Sequence, residues 1–103
     1  HVIADSCNSI AISRKEWQDV ALKAESQFIN IEIVCSDQKE HRYRTENRVV
    51  TVNNLQLPTW TDIQNRHYES WEYPVLRIDT AHRTPSESLQ ELLREIHKNV
   101  MLD

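Results

Sequence analysis

The 103-residue sequence predicts an α/β fold built on a mostly parallel sheet. Three observations carry that expectation. Short apolar runs with strand-like alternation are interleaved with segments whose apolar residues recur at helical spacing. Several helix starts are marked by capping residues. The apolar runs end in polar residues, as strands do where an open parallel sheet meets a ligand at its carboxyl edge.

In chain order, Val2-Ile3-Ala4 is an apolar run that breaks into Asp5-Ser6-Cys7-Asn8, the end of a strand passing into a loop. Ser13 and Glu16 have capping-box spacing, Ile12 is placed to staple onto Trp17, and Trp17, Val20, Ala21 and Ala24 form a helical stripe, which predicts a helix over 13–27. Residues 28–35 read as the best strand, with Ile29, Ile31, Ile33 and Cys35 on a core face and Asn30 and Glu32 opposite. A helix from Asp37 to about Val50 follows by propensity. It offers only Tyr43, Val49 and Val50 to a core, while carrying His41, Arg42, Arg44, Glu46 and Arg48.

Residues 52–58 form a linker. Thr59 and Asp62 cap a helix whose face holds Trp60, Ile63, His67 and Trp71, and that element ends before Pro74. Residues 75–79 predict a third strand in which Arg77 opposes Leu76 and Ile78, the mark of an edge position. Thr84, Pro85 and Glu87 supply an N-cap, a first-turn proline and a capping box for a helix with Leu89, Leu92, Leu93, Ile96 and Val100 on one side.

Composition narrows the functional classes. The chain contains no glycine, which excludes a phosphate-cradling glycine loop, a dinucleotide fingerprint and a nucleophile elbow within these residues. A net charge of -4 argues against a general nucleic-acid or anionic-membrane surface. No apolar run is long enough for a membrane span. Cys7 and Cys35 have neither metal-ligand nor redox spacing, so two reduced thiols in a cytoplasmic protein are expected.

Polar residues gather at the predicted strand ends: Asp5 to Asn8, Cys35 to Asp37, and Asp79 to Arg83. Asp5 has two readings, a cap or a strand-end magnesium ligand. Arg44 and Arg48, four apart, share a helical face and reach one polyanion together, unless they pair with Glu40 and Glu46 on a solvated helix. The thin apolar stripe of that helix favours a lid over a fixed packing element. Trp60 and Trp71 read as packing residues.

The order of Val2 to Asn8, Cys35-Ser36-Asp37, Glu40-His41-Arg42, Arg44 to Arg48, Leu57-Pro58-Thr59-Trp60, Arg66 to Glu69 and Ile78 to Ala81 resembles the C-terminal part of P-loop small-molecule kinases. The likeness is to predicted bacterial kinases of the AAA-family ATP-binding or adenylylsulfate-kinase-like group. It covers nearly the whole chain, although Ser9 stands where relatives are expected to carry proline.

The resemblance implies a three-layer, P-loop NTPase type of parallel sheet, present here as an incomplete portion with about three strands and four helices, and a lid-like region over about 37–73. It implies that Asp5 is the Walker B-like acid for Mg2+, that Arg44 and Arg48 meet ATP, and that Thr80, Ala81, His82 and Arg83 lie beside the adenine. Asn8 and Arg66 fall near the acceptor or lid. The phosphate loop and a central strand of such kinases have no counterpart, so the chain alone is expected not to catalyse. Cys7 and Cys35 are then too far apart for a disulfide.

ATP and a small-molecule acceptor are the implied partners, with self-association through the open sheet edge. The rival expectation is a non-catalytic α/β interaction module whose binding face comprises Arg42, Arg44, Arg48, Trp60 and Trp71.

Overall fold

A computed structural model describes residues 1–49, 51–72 and 74–100, without the side chain of Val100. The chain is mixed α/β, with four helices and one two-stranded parallel sheet among the described residues. It divides into two compact units, His1–Phe28 with His67–Pro74, and Ile29–Arg66 with Val75–Asp103.

The first unit contains a single helix, α1, at Ala11–Lys23. Residues 1–9 hold no regular structure, and Val2 and Ile3 are more than 90% exposed at 94% and 92%. The strand expected at Val2–Ala4 is therefore absent. A three-residue apolar run becomes a strand only when a neighbour accepts its backbone groups, and none does so here.

α1 also starts two residues before the Ser13 box. Its N-cap is Ile10, without a side-chain cap, and the Ser13 hydroxyl instead donates to the Ile10 carbonyl at 3.0 Å. The helix ends earlier than the predicted residue 27, because Glu25 takes a left-handed backbone (φ 54°). Glu25 N–H donates to Leu22 O at 3.0 Å and Ser26 N–H to Ala21 O at 2.9 Å, the bond pair of a Schellman stop.

The predicted stripe of α1 does not form a core, since Trp17 and Val20 are exposed, as is Ile12, the residue expected to staple onto Trp17. Arg14, 2% exposed, fastens the helix instead. Its Nε donates to Asn8 O at 2.7 Å, Nη2 to Glu69 O at 2.6 Å and Nη1 to Ser70 O at 3.3 Å. The guanidinium lies 4.1 Å from the Trp71 ring centre and 5.1 Å from that of Tyr68, and Trp71 Nε1 donates to the Tyr68 hydroxyl.

The second unit holds β1 (Ile31–Val34), α2 (Gln38–Asn47), α3 (Trp60–Gln64), β2 (Leu76–Asp79) and α4 (Pro85–Val100). The strands pair in parallel, with Ile31, Glu32, Ile33 and Val34 opposite Leu76, Arg77, Ile78 and Asp79. Parallel pairing requires a crossover, which the segment bearing α2 and α3 supplies.

α4 packs against β2, and Ile78 is the single fully buried apolar residue among those described, at 1% exposure. The expected core face of β1 is not closed. Ile33 is 58% exposed, whereas Glu32 is buried and accepts from Arg77 Nε at 2.5 Å on the neighbouring strand. α4 packs on β2 and leaves β1 without a helix against it among the described residues. The alternation was correctly located, but the opposite face gained the cover through a cross-strand ion pair.

Helix ends explain the remaining boundaries. Asp37 caps α2, its Oδ1 accepting from Lys39 N–H at 3.0 Å and Glu40 N–H at 3.2 Å. α2 stops at Asn47, and the expected contribution of Val50 lies outside the described residues. Thr59 and Asp62 complete a capping box, yet α3 spans only five residues. His67 and Trp71 are thus not on the face of α3 as predicted but in the irregular part of the first unit. The Thr84–Glu87 box of α4 forms as expected, with reciprocal bonds of 3.0 and 3.1 Å.

Candidate functional site

Where β1 and β2 end, polar side chains from α2 and from the loop after β2 are joined in one network. Thr80 extends the ladder, its N–H and its hydroxyl donating to Val34 O at 2.8 and 3.0 Å. Asp79 turns its Oδ1 back to accept from Ser36 N–H at 3.1 Å and Ala81 N–H at 3.0 Å. The Ser36 hydroxyl, the Ala81 N–H and the Ser36 N–H lower the pKa of this carboxyl to about 2, so it is ionised at neutral pH.

Arg44 crosses from α2 into the same loop. Nη1 donates to the Thr80 hydroxyl at 2.9 Å and approaches the Cys35 sulfur at 3.9 Å; Nη2 donates to Thr80 O at 2.9 Å and Arg83 O at 3.2 Å. Nη2 also pairs with Glu40 Oε1 at 2.5 Å. A planar fork of donors is suited to holding several fixed acceptors at once. The other carboxylate oxygen of Glu40 accepts from His82 N–H at 2.7 Å, and Arg83 pairs with Glu91 of α4. The loop 80–83 is therefore tied to α2, to β1 and to α4.

His82 has a left-handed backbone (φ 59°). That conformation is costly for a residue with a Cβ, and the Glu40 bond to its N–H helps to hold it. The imidazole Nε2 lies 3.1 Å from Asp37 Oδ2 and Nδ1 lies 3.6 Å from Glu40 Oε2. Beside this network, Cys35, Ser36, Gln38, His41, Trp60 and Ile63 help to line an open cleft of about 540 Å³. His41 meets Trp60 edge-to-face, with ring centres 4.9 Å apart.

Five residues singled out in the sequence thus come together: Arg44, Thr80, Ala81, His82 and Arg83. Arg48 follows α2 and donates to Pro58 O, lining a second cleft of about 360 Å³. Arg66 is exposed just beyond α3, its N–H bonded to Ile63 O at 3.3 Å. Asp5 and Asn8 belong to the first unit, where Asp5 is exposed and Asn8 takes a left-handed backbone (φ 42°).

Of the pairings expected on a solvated α2, Arg44–Glu40 is present, whereas Glu46 pairs with Arg42 at 2.8 Å. Cys7 and Cys35 are both free thiols.

A magnesium ion requires several oxygen donors around one point. Asp5 stands on no strand and belongs to no convergent group of three His, Cys, Asp or Glu side chains among the described residues, so its surroundings do not fit that role. In the loop 80–83 all four backbone N–H groups donate within the protein, to Val34 O, Asp79 Oδ1, Glu40 Oε2 and Thr80 O.

Sequence spacing had not revealed two features. Arg14 showed no local pattern, since its partners at 69 and 70 are more than fifty residues away. The approach of His82 to Asp37 and Glu40 spans more than forty residues and arises from parallel pairing. The chain matches no family model, and no curated protein or solved structure is significantly similar to it. No helix among the described residues is long and apolar enough to cross a membrane.

Proposed function

We propose that the chain contributes the nucleotide side of an ATP-dependent phosphotransferase acting on a small molecule. The observation supporting this reading is the clasp of Arg44 on the loop Thr80–Arg83 at the carboxyl ends of a parallel strand pair. Open α/β sheets take ligands at that edge.

In this reading Arg44 is a positioning residue. Both terminal nitrogens are occupied by protein acceptors, and the loop they hold lies beside the adenine. Arg48 and Arg66 belong to the lid. No metal chemistry is assigned to Asp5.

Titration calorimetry with ATP and adenosine tests the reading. ATP is expected to bind saturably, adenosine to compete because the contacts are to the base, and Arg44→Ala to weaken binding by about tenfold through release of the loop. Absence of saturable ATP binding, or equal affinity in Arg44→Ala, overturns it.

The alternative, a non-catalytic interaction module, draws support from the apolar side chains left open in the second unit, Ile33, Leu89 and Leu93. It does not extend to the predicted Arg face, since Arg44 is engaged by the protein itself.

A further inference from the structure

We propose that Asp37, Glu40 and His82 form a binding site for one divalent transition metal ion of the zinc or cobalt class. The inference is independent of the nucleotide reading and uses different atoms.

The geometry comes first. One ligand atom from each of the three residues lies within 4.8 Å of the other two. Imidazole Nε2 stands 3.1 Å from Asp37 Oδ2, and Nδ1, on a different edge of the ring, stands 3.6 Å from Glu40 Oε2. Donors held about 2.0–2.2 Å from one ion in tetrahedral array are separated by roughly 3.4 Å. One ring nitrogen ligates one ion, so the exposed imidazole must turn to bring that nitrogen toward both carboxylates, whose oxygens already lie within 4.8 Å of it.

Each ligand is also oriented by its other contacts. Asp37 spends Oδ1 on the first turn of α2 and turns Oδ2 to the imidazole. Glu40 gives Oε1 to Arg44 and presents Oε2 toward His82. That oxygen accepts from His82 N–H at 2.7 Å and has a second lone pair for an ion. Partners that fix a ligand's orientation in this way raise metal affinity.

Charge and donor type decide the class of ion. Asp37, Glu40, Asp79 and Glu91 outnumber Arg44 and Arg83 around this loop, which favours a cation despite the nearby guanidiniums. Magnesium and calcium take oxygen donors, whereas an imidazole with two carboxylates suits zinc and its neighbours. The His82 side chain is 76% exposed, so an ion has free access and water can complete the coordination.

The same distances would arise if a protonated His82 merely paired with the two carboxylates, and the experiment separates these cases. Untagged chain is titrated with Zn2+ by calorimetry and with Co2+ by visible absorption. The variants are His82→Asn, which tolerates the left-handed backbone and removes the imidazole, and Asp37→Ser, which keeps an N-cap and removes the facing oxygen. His67→Ala and His97→Ala serve as controls for other exposed histidines.

One equivalent is expected to bind. Affinity should fall by about tenfold or more in each of the first two variants and stay unchanged in the controls, and millimolar Mg2+ should not displace Co2+. Failure to saturate at one equivalent, unchanged affinity in either His82→Asn or Asp37→Ser, loss in a control, or equal displacement by Mg2+ overturns the site. Circular dichroism of each variant verifies that the fold survives.

Discussion

Arg14 holds the first unit together with the kind of residue that seldom lies inside a protein. Its charge is met by three backbone carbonyls and two aromatic rings, so removal deprives all of them of their common partner. Arg14→Ala is expected to destabilise the first unit by about 3 kcal/mol. Arg14→Lys should recover little, because an ammonium cannot present a planar fork to three acceptors while lying on a ring face. Thermal unfolding followed by Trp fluorescence, with Trp17 and Trp60 replaced by Phe so that Trp71 reports alone, checks both. Full recovery by lysine would show that charge alone matters.

Asp79 gives the loop after β2 a dependence on acid. Its folded pKa, about 2 against an ordinary 3.8, means that its contribution is fully present above about pH 4 and is lost as pH falls through about 2. Asp79→Asn should lower stability at pH 7, and the variant should lose less further stability between pH 5 and 2 than the parent. Urea titrations across that range measure the difference. Part of the slope should persist, because cap bonds also lower the pKa values of Asp62 and Glu87.

Among the described residues, the chain takes the left-handed backbone at four positions without glycine. Asn8, Glu25, Asn54 and His82 take φ of 42–64°, so the chain makes these turns with side chains in place of glycine's freedom.

At the scale of elements, local signals succeeded where all the partners were local. Thr84 and Glu87 satisfy each other across three residues, and α4 begins where their spacing says. The same spacing at Ser13 and Glu16 failed, since the contacts that fix α1 run from Arg14 to residues 69 and 70. Tertiary hydrogen bonds outweighed a cap worth about 1 kcal/mol.

The two motifs should therefore respond differently to the same substitution. Thr84→Ala is expected to cost about 1 kcal/mol, and Ser13→Ala less than about 0.5 kcal/mol, by chemical denaturation. Equal losses would mean that the Ser13 box forms in solution. The candidate site was legible to the same degree: the strand ends and the polar residues on them could be read from the sequence, but the partners they choose could not. Arg44 and Thr80 are 36 residues apart, and it is β-strand pairing that brings Thr80 and Arg83 to the helix of Arg44.

At the scale of the whole molecule, the question is where the core lies. Parallel sheets normally have both faces covered by helices, yet the only sheet among the described residues has two strands, with α4 packed on β2 alone. Ile33 and Ile78 make the point within a single rung. They face each other across the ladder, with equal side chains, at 58% and 1% exposure.

Burial of apolar area scales with stability, so the two should behave unlike each other when truncated. Ile78→Ala is expected to cost about 2–4 kcal/mol through lost transfer and a cavity, whereas Ile33→Ala should cost less than about 1 kcal/mol. Denaturation midpoints at two protein concentrations measure both. Similar losses at both positions, growing with concentration, would mean that a second copy covers β1 in solution, the open-edge association that a two-stranded parallel sheet invites. Unequal losses independent of concentration mean that β2 and α4 carry the core by themselves and that the Ile33 side of β1 is open to water in the folded chain.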